Sequence, residues 1–475
     1  MNPPARERRS RDTRPQPTWR HPATPCKAAQ PPPPPAMKRL ALLVPLLALA
    51  AAVGCRRAEF ASQTLKAEKK SDVEINAKAN ARLERLENTV FVWPDWEENA
   101  PHFTIPGSVK VLPRDAFAMG IPCVMYSIKD VELQPGVEAV EPGAFDGAEM
   151  LEKLVVPASC TNLTDALAGC EILAEIVLDP ANPAYKIENG LLLSRDGREL
   201  VYALRVPGTE RVVVPNGVER IDDGAFGNWG GFNLYSRQRL VEVVLPASVR
   251  EIGNKAFSFS RFLERADLPE RLVSIGDRAF ERCEAMESVT FPENLQRVGE
   301  WAFCQSGVRS VSFADGIRTT CGKGAFSFCV RLERIELPAG VAFESAAFEN
   351  CGALLEAAIA PGVTNIPDRA FEGCGRLVRV ALPEGLRKIG YRAFANCDHL
   401  AQVDLPKSLR EIESSAFEGC ASLSTNVVPV NVESIGFRAF ARTPMDAPAA
   451  DKPHAEAAET TIHAESAEGA KEPAP

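Results

Sequence analysis

Apolar residues return along this chain at a fixed beat. Between residues 104 and 441 the order V-x-x-I-G-x-x-A-F-x-x-C-x-x-L-x-x-V-x-L-P recurs, as in "SIGDRAFERCEAMESVTFP" and "KGAFSFCVRLERIELP". Its Ala-Phe pair places Phe at 257, 280, 303, 326, 348, 371, 394, 417 and 440, at intervals of 23 residues with a single 22. Earlier copies put Phe at 117, 145 and 226, and Leu167 fills the slot in "DALAGC". Within one copy Ile335 and Leu337 alternate with Arg334 and Glu336, the period of two that marks a half-buried strand, and Pro338 stops it. The Ile-Gly step is expected to supply a turn, and Phe beside Ala to lie inside. So short a unit cannot bury its own apolar face, so successive copies must stack. Strands stacked about 4.8 Å apart give a parallel sheet along one face. Each buried Phe contributes about 1.5–3 kcal/mol to the stack.

This pattern resembles the BspA-like leucine-rich repeat family of bacterial surface proteins and lipoproteins, over about residues 104–441. The long unit at 182–226 resembles the hairpin-bearing repeat of that family, with Asn189-Gly190 and Asp196-Gly197 as turn pairs between apolar runs. The resemblance implies a curved repeat solenoid, mainly β with short helical or 3-10 turns, carrying a parallel sheet on one face. It also implies no cofactor and a role in adhesion or in binding other proteins. Two copies, "TTCGKGAF" and "FESAAF", depart from the consensus at the Ile-Gly step.

The remainder of the chain is organised differently. Residues 1–36 are a basic, Pro-rich leader that cannot build a core, and Met37 is the expected true start. "MKRLALLVPLLALAAAVGC" (37–55) follows, with a basic n-region at Lys38 and Arg39 and an apolar stretch from Leu40 to Val53. That length suits a secretory signal and is too short to span a membrane. Ala52, Val53 and Gly54 before Cys55 resemble a bacterial lipobox, although Leu is commoner where Ala52 stands. Lipidation at Cys55 would anchor the mature protein to a membrane, since each buried CH₂ of an acyl chain contributes about 0.8 kcal/mol. An ordinary cleaved signal peptide is the alternative. Residues 56–100 are a charged tether in which Ile75, Ala79, Leu83, Leu86 and Val90 share one face of a short amphipathic helix. The solenoid is assigned to 101–441 and a disordered acidic tail to 442–475.

Charge and chemistry narrow the function. The basic leader and the acidic tail carry opposite charges that cancel, so the net charge of −9 falls on the middle, an acidic balance that argues against a nucleic-acid groove. Only His102 and His399 fall in the repeat array. Cys170, Cys283, Cys329, Cys351, Cys374, Cys397 and Cys420 each follow the anchor Phe or Leu by three residues, in a slot that serine fills in "AFSFS". They are expected to be free buried thiols packed inside the turn. No C-x-x-C pair suggests zinc, and G-x-S-x-G, H-E-x-x-H, P-loop and calcium-loop motifs are missing from the sequence. No metal, cofactor or nucleic acid is expected, and the chain is read as non-catalytic. Even the set Cys397, Asp398, His399 and Asp404 splits between the inside and outside of one coil.

Function is therefore sought on the surface. Outward strand positions include Arg265, Asp267, Arg309, Arg334, Glu336 and Arg379, a face that solenoids use for partners. The interval from Phe226 to Phe257 is 31 residues, and its insertion carries Trp229, Phe232, Tyr235 and Arg237, residue types common at binding hot spots. The expectation is a cell-envelope protein binding a protein or glycan. A rigid envelope scaffold without a specific ligand is the alternative.

Overall fold

The computed structural model describes residues 102–446 except 115, 118–127, 147, 149, 164, 229–238 and 425–427. Cys55, the signal segment, the tether helix and the acidic tail lie outside the described residues, as do Trp229, Phe232, Tyr235 and Arg237.

The repeat makes a parallel β-solenoid of about 13 turns with essentially no helix. The arcs around Ala-Phe are tight turns, and the 3-10 helix among the described residues is Pro444–Asp446. The "V-x-L-P" strands stack in parallel and in register. In one run Arg334–Leu337, Glu356–Ile359, Arg379–Ala381 and Gln402–Val403 line up so that Ile335, Ala357, Val380 and Val403 point inward together. This is the anticipated sheet, called here the first ladder.

A second parallel ladder runs through the Ile-Gly step, which the sequence reading had made a turn. Arg220–Ile221, Glu251–Ile252, Ser274–Ile275, Arg297–Val298, Thr319–Cys321 and Val341–Phe343 pair in succession. Ile221, Ile252, Ile275, Val298, Cys321 and Phe343 form its buried row, so the two departing copies keep the coil path by placing Cys or Phe in the Ile slot. The glycine answers to close stacking. A Cβ on Gly276 would stand 2.5 Å from the carbonyl carbon of Gly253, and one on Gly390 2.8 Å from the Asp368 amide nitrogen.

The arcs add a third set of coil-to-coil bonds. Every described non-glycine residue with positive φ, apart from Asn189, lies two residues before or two after an anchor Phe or Leu. Such φ values cost an L-residue about 1–2 kcal/mol, but most of these conformations aim an amide at the next coil. Lys255, Phe257 and Phe259 donate to the carbonyls of Asp277, Ala279 and Glu281 at 2.8, 2.7 and 2.7 Å. The same three bonds recur from Arg278, Phe280 and Arg282.

Inside the arcs, ten rings from Phe226 to Phe440 stack with centroids 4.8–5.5 Å apart and planes within 11°. The cysteine slot lies beside them. Sγ of Cys283, Cys329, Cys351, Cys374, Cys397 and Cys420 each donates to the carbonyl of the preceding coil's Phe at 3.1–3.2 Å. Ser260 Oγ makes the same bond to Phe226 at 2.9 Å, which explains why serine substitutes there. All ten described cysteines are free and buried. Burial pushes the thiols of Cys170, Cys321 and Cys329 up to about 12, so the reactive thiolate is suppressed.

The long unit is a hairpin, as read. Tyr185–Glu188 and Leu191–Ser194 pair antiparallel across Asn189 and Gly190, both with positive φ as a type I′ turn requires. Leu191–Ser194 pairs antiparallel with Glu199–Ala203, which enters the second ladder beside Arg220–Ile221. The alternating faces of this hairpin separate two cores. Leu191, Leu193, Leu200 and Ala203 join the C-terminal core, whereas Tyr185, Leu192, Val201 and Tyr202 join the N-terminal one. Arg205, fully buried at this boundary, donates to the carbonyls of Ala203 (2.7 Å) and Gly227 (2.5 Å) and lies 4.8 Å from the Tyr202 ring centre.

Candidate binding face

The outward side of the first ladder holds Arg265, Asp267, Arg309, Arg334, Glu336 and Arg379, all exposed as expected. Most of the arginines face carboxylates on a neighbouring coil. Arg334 Nη1 lies 3.1 Å from Glu356, Arg309 Nε 3.8 Å from Glu287, and Arg265 Nη1 3.9 Å from Glu242. Lys129–Glu152 (2.7 Å), Lys153–Glu175 (3.0 Å) and Arg211–Glu242 (2.7 Å) extend the pattern toward the N-terminus. Exposed pairs of this kind contribute about 0–1 kcal/mol each. They neutralise the face more than they hold it.

One step of the ladder C-terminal to the hairpin unit is open. Arg265–Ala266 pairs with Glu242–Val244 on one side, and Ser288–Phe291 pairs with Ser310–Phe313 on the other, but the two sheets do not join. Cα atoms of the facing strands lie for the most part more than 8 Å apart, whereas paired strands stand about 4.8 Å apart. The coils still touch just before the opening, where Ala285 N donates to Arg261 O at 3.0 Å. Between them lies a groove of about 930 Å³, floored by Ala266, Leu268, Val289 and Phe291.

Side-chain size accounts for the break. The last inward residue of the strand is Leu268, Phe291, Phe313, Leu337 and Ile359 in successive coils, and the ladder is interrupted at both changes between aliphatic residue and ring. At the later change Glu333 N still reaches Arg309 O at 3.3 Å. At the earlier one the small Ala266 faces Val289 beside the bulky Phe291, and the strands part. Ala357 sits within the joined run, so a small residue alone does not open the sheet.

The groove's charge is unbalanced. Its walls carry Glu242, Glu264, Asp267, Glu270 and Glu287 against Arg265 and Arg331. Glu242 and Glu287 have arginine neighbours, but no ion pair to Glu264, Asp267 or Glu270 occurs among the described residues.

Two features escaped the sequence reading. Arg205 lies in an apolar run, "LVYALRVP", where an interior arginine is itself the signal. The other is a carboxylate group. Asp165, on one coil, and the adjacent Asp222 and Asp223, on another, bring oxygen atoms within 4.8 Å of one another. Arg220 Nη2 approaches Asp222 at 3.2 Å and Asp223 at 3.4 Å, supplying a cation to that pair. Burial, with Asp223 and Asp222 adding repulsion, pushes the Asp165 carboxyl up to about 6. His399, by contrast, is exposed with Nδ1 2.6 Å from Gly375 O, apart from the buried Cys397 of its own coil.

A short repeat stacked into a parallel solenoid, with a ladder of strands along one face, places the chain in the leucine-rich repeat class. The model of the BspA type leucine-rich repeat region matches in six copies over residues 86–191, 230–355 and 341–448, and the chain belongs to that family. A leucine-rich repeat protein from Bacteroides ovatus is similar at 25% identity, over 72% of this chain and 84% of that one, with a TM-score of 0.52. A leucine-rich cell surface protein from Faecalibacterium prausnitzii aligns at 22% identity over 72% and 91%, with a TM-score of 0.43. No curated protein matches the chain.

Proposed function

We propose that the chain is a non-catalytic protein of the bacterial envelope that binds a protein partner through the first ladder. The observation that carries this reading is the open groove on this face, where the strands part over an apolar floor. A groove with an apolar floor and a charged rim suits a polypeptide that brings both backbone and side chains. Family membership is consistent with protein–protein interaction. Adhesion, and a glycan as the bound group, are finer versions of the same reading. Export and a lipid anchor at Cys55 rest on the apolar segment and its lipobox-like end.

The binding test uses the full-length purified protein with reversals at Arg265→Glu and Asp267→Lys. A partner isolated from the native envelope should bind saturably, lose affinity to that variant, and keep it for Arg297→Glu on the second ladder. Equal binding to all three proteins would remove the first ladder from the reading. Absence of any saturable partner would favour the rigid-scaffold alternative, which the uninterrupted ten-ring stack supports. Palmitate labelling lost on Cys55→Ala tests the anchor separately.

A further inference from the structure

The open step offers backbone hydrogen-bonding groups as well as space. Ser310 N donates to Glu287 O, which fixes the alternation along the Ser288–Phe291 strand. In a parallel ladder, alternate residues bond to opposite neighbours. The amides of Val289 and Phe291 therefore face the following coil, and those of Ser288 and Thr290 face the groove. On the opposite wall the same alternation directs the carbonyls of Glu264 and Ala266 into the opening. In the joined run these positions are satisfied, as where Leu355 N donates to Glu333 O at 2.8 Å and Val378 N to Leu355 O at 2.9 Å. No backbone bond crosses between 264–268 and 287–291 among the described residues. Each wall thus presents both donors and acceptors, because the N–H and C=O of a strand residue point to the same neighbour.

An extended segment between the walls can accept from Ser288 and Thr290 and donate to Glu264 and Ala266. It would restore two spacings of about 4.8 Å where one is missing. Its inward side chains would lie on Ala266, Leu268, Val289 and Phe291. Its outward ones would meet Glu264, Asp267 and Glu270, carboxylates without ion-pair partners among the described residues. Unpaired strand edges are templates for strand addition, with affinity from the main chain and specificity from alternate side chains.

We propose that the gap between Arg265–Ala266 and Ser288–Phe291 receives an extended segment of a protein partner, alternating apolar and basic residues, as an intercalated strand. The proposal rests on the protein-binding reading above and specifies how the partner is held.

The test uses the full chain and three fluorescein-labelled eight-residue probes. One alternates Val and Lys, one alternates Val and Glu, and the third is the Val/Lys peptide N-methylated at alternate residues. Anisotropy should rise saturably with the first probe and stay flat with the other two. Glu264→Gln, Asp267→Asn and Glu270→Gln combined should weaken it roughly tenfold, as loss of three exposed ion pairs implies. Hydrogen exchange of the complex should slow at Ser288 and Thr290, while Glu356 and Ala358 in the joined run are unaffected. Equal binding of the methylated peptide would overturn strand addition in favour of simple charge attraction. Equal binding of the Val/Glu probe would overturn the assigned chemistry. If no probe binds while the envelope-derived partner still binds wild type and loses the reversal variant, strand intercalation fails and the protein-binding reading stands. If that partner binds all variants alike, the broader reading fails as well.

Discussion

The run from Arg334 to Val403 and the step between Ala266 and Val289 are built from the same repeat, yet one is shut and the other open. Both have Phe rings stacked in the arc and both end their strands near Pro; the second ladder is continuous beside the open step, whereas beside the shut run it breaks once, between Phe343 and Asn365. The shut run changes only among aliphatic residues at the strand's last inward position, Leu337, Ile359, Leu382 and Leu405. The open step passes from Leu268 to Phe291 with Ala266 alongside. The arcs and second ladder hold the coil spacing, so the first ladder can open locally without unwinding the solenoid. Rigidity is distributed over three sets of coil-to-coil bonds, and the proposed binding site lies where one of them is missing.

The comparison can be broken most forcefully through the element both regions share. Phe371→Ala removes a fully buried ring from the middle of the stack and should cost about 3–5 kcal/mol, read from urea denaturation. A loss below 1 kcal/mol would mean the rings are not the common support. Gly390→Ala comes next. Its Cβ would stand 2.8 Å from the Asp368 amide nitrogen, and a cost of about 1–3 kcal/mol is expected, with little effect on the groove.

A pH effect separates the second ladder's charges from the groove's. Asp165 has its carboxyl raised to about 6 by burial and then by Asp223 and Asp222. Between about pH 4 and 6 the folded chain then binds more protons here than the unfolded chain does. This contribution therefore falls as pH rises through that window and stays low above it. Asp165→Asn should flatten the dependence and stabilise at neutral pH by on the order of 1 kcal/mol, reduced for partial exposure. A destabilised variant at pH 7.5 would show that the carboxylate is satisfied there. Cys397→Ser should have the smallest effect, within about 1 kcal/mol, because Ser260 already makes the equivalent bond to Phe226 O. Thermal melting checks it, and a large drop would deny that the slot requires only a small donor.

Much of this architecture was legible because it is periodic. The Phe interval gave the stack, the cysteine slot followed it, and Asn189-Gly190 marked the hairpin through its turn chemistry. The second ladder was missed because two-residue strands such as Lys388–Ile389 are too short to display an alternation. The left-handed positions were hidden because Lys255, Arg278, Trp301 and Arg369 occupy them instead of glycine. Of the proposed site, Arg265 and Asp267 were singled out correctly as outward. The opening itself was not, because it depends on how Phe291 seats against Ala266 and Leu268 one coil away. That relation between neighbouring copies is invisible to a consensus of any one copy.

The central claim is that the first ladder is unpaired at this step in the free protein, and backbone hydrogen exchange measures that directly. The amides of Ser288 and Thr290 should exchange at least about 100-fold faster than those of Glu356 and Ala358, their equivalents in the joined run, since local opening there breaks no ladder bond. Phe291→Leu, which makes the step aliphatic on both sides, should narrow that ratio. Equal protection at the two places in the wild-type protein would mean that the ladder is continuous and that there is no slot to fill.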